Sequence, residues 1–111
     1  MKPLPPILVV DDDAPVRRLL CRSLERHGYR VLEAESAFQA VSVALGLPEV
    51  PALLVTDVVM PGPDGCQLAS MLRQRWPGLP VLLVSGSREL GPVDGVGPLG
   101  FLSKPFFTDV L

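Results

Sequence analysis

Apolar residues follow two alternating rhythms along this chain. Short runs are apolar at every position, as in Ile7-Leu8-Val9-Val10 and Val81-Leu82-Leu83-Val84. Between them lie stretches where apolar positions recur three or four residues apart. The first rhythm suits strands covered on both faces, and the second suits helices with one buried side. Their alternation predicts an α/β fold built on a parallel sheet.

The first strand is expected over residues 7–10. Asp13 then makes a good N-cap, and Pro15 suits a first helical turn. Val16, Leu19, Leu20 and Leu24 recur at helical spacing, and Gly28 ends that helix. A second strand is expected over 29–34. Ser36 can cap a second helix with Phe38, Val41, Ala44 and Leu45 inward, stopped by Gly46 and Pro48. The third strand covers 53–56 and ends at Asp57. The stretch 58–65 carries two prolines and two glycines, which predicts a loop of fixed shape. A third helix follows with Cys66, Leu68, Ala69, Met71 and Leu72 near its apolar side, ended by Pro77-Gly78. The fourth strand covers 81–84 and ends at Ser85. Gly and Pro are dense from Gly91 onward, permitting a short or degenerate fourth helix at most. A fifth strand is expected at 101–103, followed by Lys104-Pro105-Phe106. A fifth helix would begin near Thr108, but the sequence stops at Leu111, so that helix is read as truncated.

Size and composition narrow the reading. The 111 residues suit one domain, 1–111, and 48% hydrophobic residues supply a real core. Ten basic against twelve acidic residues give a net charge of −2, leaving no basic surplus to hold nucleic acid. The apolar runs are far too short to span a bilayer, and the start of the chain does not read as a secretory signal. Two cysteines, Cys21 and Cys66, have no metal-binding spacing, which fits a reducing cytoplasm.

The candidate chemistry shares one structural address. Asp11 and Asp12 follow the first strand, Asp57 the third, Ser85 the fourth and Lys104 the fifth. In an open parallel sheet, ligands bind in the crevice at the carboxyl ends of the strands. Right-handed crossovers return every strand in the same direction, so these distant residues can meet there. Carboxylates about 4 Å apart repel by roughly 4 kcal/mol per pair at an effective dielectric near 20. Such a cluster holds protons or binds a cation. Hard oxygen donors with no His or Cys nearby favour Mg2+ over zinc or copper. A carboxylate nucleophile, a divalent metal, an ammonium and a hydroxyl together suit phosphoryl transfer.

Four segments carry a resemblance. They are Ile7-Leu8-Val9-Val10-Asp11-Asp12-Asp13, Asp57-Val58-Val59-Met60-Pro61-Gly62-Pro63-Asp64-Gly65, Val84-Ser85-Gly86 and Phe101-Leu102-Ser103-Lys104-Pro105-Phe106. In this order they resemble the receiver domain of bacterial two-component response regulators, over nearly the whole chain. The resemblance implies a doubly wound, flavodoxin-like sheet of five parallel strands in the order 2-1-3-4-5. It implies that Asp57 is the phosphoacceptor, that Asp12 ligates Mg2+ directly and that Asp11 does so through water. Mn2+ could substitute. The backbone carbonyl of Val59 would be a further ligand. Lys104 would contact the phosphoryl group, and Ser85 and Phe101 would be the switch residues. The implied partner is a histidine kinase or a histidine phosphotransfer domain. The domain would assist its own phosphorylation without being a turnover enzyme.

Departures from the family pattern also carry expectations. The span from Ser85 to Phe101 is short and rich in Gly and Pro, as in some receivers fused to hybrid histidine kinases. A missing fifth helix would bare one sheet face and favour self-association. Val59 and Ser87 stand where receivers tune their own dephosphorylation, and the apolar valine cannot orient an attacking water. A long-lived phosphoryl group is the expectation.

Other readings compete. A Mg2+-dependent phosphatase with an aspartate nucleophile commonly carries a second Asp where Val59 stands, and needs a cap that this length does not offer. A pseudo-receiver acting only as a binding module usually loses one of the residues retained here. Ser85 also reads as a turn serine, Lys104 as a structural salt-bridge partner and Phe101 as a core residue. Gly95 to Gly100 matches GxGxxG but opens no helix, so the dinucleotide reading fails. His27 reads as a surface residue at the end of the first helix, Trp76 as packing at the end of the third, and the two cysteines as small helix residues. Arg17, Arg18, Arg22, Arg26 and Arg30 read mainly as a solvated helix face, with a share available to a docking partner.

Overall fold

The computed structural model describes residues 5–85 and the strand 99–103. Its elements run β1 (Ile7–Val10), α1 (Ala14–Arg26), β2 (Val31–Ala34), α2 (Ala37–Leu45), β3 (Leu53–Asp57), α3 (Gly65–Arg75), β4 (Val81–Ser85) and β5 (Leu99–Ser103). The sheet has the order β2-β1-β3-β4-β5, and every pairing is parallel. The parallel α/β sheet expected from the alternating rhythms, and the doubly wound strand order implied by the resemblance, are therefore the observed ones. The expected short fourth helix and truncated fifth helix fall on residues outside those described.

β1 is buried at all four positions because it lies between β2 and β3 with helices over both faces. Successive side chains alternate between those faces. Leu8 and Val10 join Leu54, Leu83, Leu68, Leu72 and the alanines of α2 in one core. Ile7 and Val9 join Val55, Val84, Leu20, Cys21 and Leu24 of α1 in the other.

Helix boundaries follow local chemistry. The Asp13 side chain accepts from the Val16 N–H at 3.2 Å, and Ser36 accepts from Gln39 N–H at 3.1 Å. Gly28 follows α1 with φ +88°, a left-handed conformation that lets the chain leave the helix without Cβ strain. Asp64 and Gln67 form a reciprocal capping box at the start of α3, with both hydrogen bonds at 2.8 Å.

Three expectations need correction. Phe38 and Leu45 do not face inward, being 70% and 62% exposed. The buried face of α2 is Ala37, Ala40 and Ala44, with Val41 partly buried. Helical periodicity permits either stripe. The alanines prevail because small side chains let the helix lie close to the sheet. In α1 the inward residues are Leu20, Cys21, Ser23 and Leu24, whereas Leu19 is exposed. β2 starts at Val31, two residues later than expected, because Tyr29 N–H turns back to the Leu24 carbonyl of α1.

Candidate functional site

The sheet places its acids by register. Val10 pairs with Ala34 on one side and Thr56 on the other, so the residues after this row stand at one level. The next residue along each strand is then Asp11 and Asp57. One carboxylate oxygen from each of Asp11, Asp12 and Asp57 lies within 4.8 Å of the others. Asp11 is fully buried, Asp57 is 7% exposed and Asp12 is exposed. The crevice thus has a deep floor and an open rim.

Backbone contacts hold this geometry. Asp11 N–H donates to the Ala34 carbonyl at 3.1 Å, extending the β1–β2 ladder by one residue. Asp13 N–H donates to Asp11 Oδ1 at 2.9 Å, which ties that carboxylate to the loop. Beyond Asp57, Val58 N–H donates to the Val84 carbonyl at 3.1 Å, and Gly65 N–H donates to the Val58 carbonyl at 2.9 Å. The Thr56 hydroxyl donates to the Asp57 carbonyl at 3.0 Å. The chain between Asp57 and α3 is a closed loop, as its prolines and glycines require.

Gly65 is the tightest point of that loop. A Cβ added there would stand 2.2 Å from the Asp57 carbonyl oxygen and 3.0 Å from its carbon. No side chain fits, so glycine is what lets α3 begin directly against the backbone of Asp57. The sequence carried this signal as a Gly one residue after an acidic cap.

The remaining expected site residues divide by position. Val59 follows Val58 in the loop and is 70% exposed. Ser85 closes β4 and pairs in register with Ser103 of β5, and Phe101 of β5 pairs with Leu83. The side chains of Ser85 and Phe101, and all of Lys104 and Ser87, lie outside the described residues. Among the described residues, Asp11, Asp12 and Asp57 are the acids brought together.

A metal ion can be tested against this donor set. The donors are carboxylate oxygens alone, two sunk in the crevice and one at its rim. Hard divalent cations take such oxygens, and Mg2+ keeps several waters, which an open rim accommodates. The residues present fit a Mg2+-class ion.

One residue of the site region departs from its expected place. Arg17 is not on a solvated face, since its side chain is 13% exposed and is bound at both ends. Its Nη1 donates to the Asp11 carbonyl at 2.8 Å, and its Nε to Glu33 Oε1 at 3.0 Å. The available signal was a lone acid, Glu33, in an otherwise apolar strand. His27 is exposed at the end of α1, and Trp76 packs at the end of α3, where each is expected. His27 Nδ1 lies 2.8 Å from the Ser23 carbonyl, and Trp76 closes α3 with the Arg75 guanidinium 5.0 Å from its ring centre. Burial pushes the Cys21 thiol from its ordinary 9.0 up to about 12, with Glu33 and Glu25 adding to the shift and Arg17 opposing it. Cys66 is also raised, by burial first and by Asp64 second.

No described helix is long and apolar enough to cross a membrane. Comparison with known proteins agrees with the geometry. ResD, a transcriptional regulatory protein of Bacillus subtilis (strain 168), is 37% identical over 102 residues, covering 90% of this chain and 42% of that protein. This chain thus spans less than half the length of that relative. The crystal structure of the receiver domain of the hybrid histidine kinase CckA is 36% identical, with a TM-score of 0.78 over 94% of this chain and 89% of that one. The response regulator TrrA of Thermotoga maritima, in complex with Mg2+ and BeF, is 25% identical, with a TM-score of 0.82 over 96% of this chain and 92% of that one. The family described as response regulator receiver domain matches residues 7–111. With its parallel sheet and its acids gathered at the carboxyl end, the chain belongs to the response regulator receiver domains, the phosphoacceptor signalling domains of two-component systems.

Proposed function

We propose that Asp57 is the phosphoacceptor and that this domain takes its phosphoryl group from a phosphohistidine of a histidine kinase or phosphotransfer domain. The observation that carries the reading is the convergence of Asp11, Asp12 and Asp57 within 4.8 Å at the carboxyl end of the sheet. An Asp57 carboxylate oxygen forms the new bond to phosphorus as the bond from phosphorus to the imidazole nitrogen breaks. The freed imidazole keeps that electron pair and takes a proton from solvent. The product on this chain is an aspartyl phosphate, so the domain stops at one turn and is not a turnover enzyme. It acts in the cytoplasm, where its phosphodonor partners present their histidines.

Asp57 and Asp12 would hold Mg2+ directly, Asp11 through water, and the Val59 carbonyl would complete the protein's share. Mn2+ would serve in its place. When bound, the ion offsets the negative charge that carboxylates and phosphoryl oxygens bring together. The chain's own groups do the rest. Asp57 is buried to 7% exposure, so bulk water reaches little of its carboxylate. Lys104 supplies a fixed positive charge to the phosphoryl oxygens, and the Ser85 hydroxyl donates to one of them. Moving Ser85 toward the phosphoryl group frees space for Phe101, which couples a local charge change to the surface of β4 and β5. Val59 offers an attacking water no hydrogen bond, so the phosphoryl group persists.

Intact mass after incubation with a small-molecule phosphodonor and Mg2+ tests this. A single phosphoryl adduct is expected, absent in Asp57→Asn and still present after minutes in Mg2+ buffer. Continuous release of phosphate would indicate a phosphatase instead, and no adduct with any donor would leave a binding module. Rapid decay of the adduct would overturn the role given to Val59.

A further inference from the structure

We propose that Arg17 is a positioning residue that pre-sets the acidic crevice for its cation, an inference resting on the reading that Asp11, Asp12 and Asp57 hold a divalent metal. Arg17 lies in the first turns of α1, and its guanidinium spans two elements. Nη1 donates to the Asp11 carbonyl at 2.8 Å, and Nε donates to Glu33 Oε1 on β2 at 3.0 Å. Its own N–H donates to the Asp13 carbonyl at 2.9 Å, so the helix that carries it starts from the same loop.

The contact acts on geometry. The Asp11 carbonyl belongs to the peptide plane joining Asp11 to Asp12. That plane is rigid, so holding its oxygen fixes the side of Asp11 that faces Asp12 and the point from which the Asp12 backbone continues. Asp11 N–H, held by Ala34 at 3.1 Å, fixes the preceding plane. Together the two contacts determine the backbone of Asp11 from both sides. Without a cation, the three carboxylates repel, and the exposed Asp12 is the one free to swing away. Arg17 resists that relaxation by bracing the loop against β2. An ion pair with a half-exposed partner such as Glu33 adds little stability by itself. Its consequence lies in keeping the ligand set assembled before the ion arrives.

A guanidinium suits this task better than an ammonium. Its planar fork reaches two acceptors in fixed directions, whereas lysine offers a single point charge. The positive charge also has an opposing effect, since it repels a cation nearby. The two effects predict opposite outcomes when Arg17 is removed.

Calorimetric titration of Mg2+ into the unaltered chain, Arg17→Ala, Arg17→Lys and Glu33→Ala separates them. Arg17→Ala is expected to bind Mg2+ about tenfold more weakly, the low end of what residues orienting metal ligands contribute. Arg17→Lys should recover only part of that loss, and Glu33→Ala should fall between. At saturating Mg2+ the rate of phosphoryl acceptance should return to that of the unaltered chain, which a general structural defect would not allow. Equal or tighter binding by Arg17→Ala overturns the proposal, as does full recovery by Arg17→Lys. Should Arg17→Ala fail to fold, unchanged affinity in both Arg17→Lys and Glu33→Ala overturns it equally. Absence of Mg2+ binding by the unaltered chain sinks the metal reading itself, a failure visible before any variant is compared.

Discussion

At the carboxyl end of the sheet, β1 and β3 deliver Asp11 and Asp57 to a crevice shared with Asp12. At the amino end Pro6 leads into β1 and Pro80 into β4, and Pro51 stands two residues before β3. Grooves there are lined by Pro5, Pro48, Pro51, Trp76, Pro77 and Pro80, with Glu25, Arg30, Glu49 and Arg75 as their charged residues. Proline keeps its carbonyl for the ladder but has no N–H to place, so it suits the start of a strand. Pro6 and Pro80 illustrate this, accepting from Ala52 and Leu54 N–H at 2.9 Å. The amino end needs only to be closed. The carboxyl end holds like charges together against their repulsion, which is the arrangement the proposed phosphoryl acceptance requires.

Substitutions at the two ends should therefore fail differently. The largest contrast is between two glycines. Gly65→Ala puts a Cβ into the Asp57 carbonyl, so it should abolish phosphoryl acceptance and cost about 1–3 kcal/mol of stability. Gly78 at the amino end has open space around it, and Gly78→Ala should leave acceptance intact and stability unchanged or raised by up to about 1 kcal/mol. Denaturant melts with parallel phosphorylation assays measure both. Equal losses at the two sites would erase the distinction.

A smaller effect concerns charge. Asp12→Asn removes repulsion from the carboxyl end, so in chelator it should melt some 4–8 °C higher if about 1 kcal/mol is relieved. Mg2+ should stabilise the unaltered chain, by about 2.7 kcal/mol at a hundred times its dissociation constant, and the variant far less. Glu49→Gln at the amino end should change neither value. Calorimetric melts with and without Mg2+ test the pair.

The smallest effect sharpens the comparison through the thiols. Cys66 lies in the first turn of α3 and is half-buried, whereas Cys21 is buried in the middle of α1. The folded-state pKa of Cys21 is raised, so its contribution is intact below pH 9 and declines as pH rises from there toward 12. The slope should not exceed about 1.4 kcal/mol per pH unit. Comparing stability of Cys21→Ala with the unaltered chain across that window isolates it. In native alkylation Cys66 should react before Cys21. The reverse order would mean that α1 opens more readily than its packing implies.

Much of this molecule was legible in the residues. The all-apolar runs marked central strands, because a strand covered on both faces has no polar side to show. Asp13, Ser36 and Gly28 marked helix ends, because caps act through the nearest backbone groups. Asp11, Asp12 and Asp57 were found because they follow strands that must end on one side of a parallel sheet. The helix faces were harder. In α2 the spacing allowed Phe38 and Leu45 to face inward, and only the closeness of the sheet selected Ala37, Ala40 and Ala44.

Local order is thus written along the chain, since hydrophobic rhythm, capping and turn chemistry act between neighbours. Tertiary structure alone settled what depends on distances between elements. It put the three carboxylates within reach of one ion, bent Arg17 from an expected solvent face onto the Asp11 carbonyl, and left Gly65 no room for a side chain. Those outcomes rest on fractions of an ångström between segments far apart in sequence, and no periodicity records them.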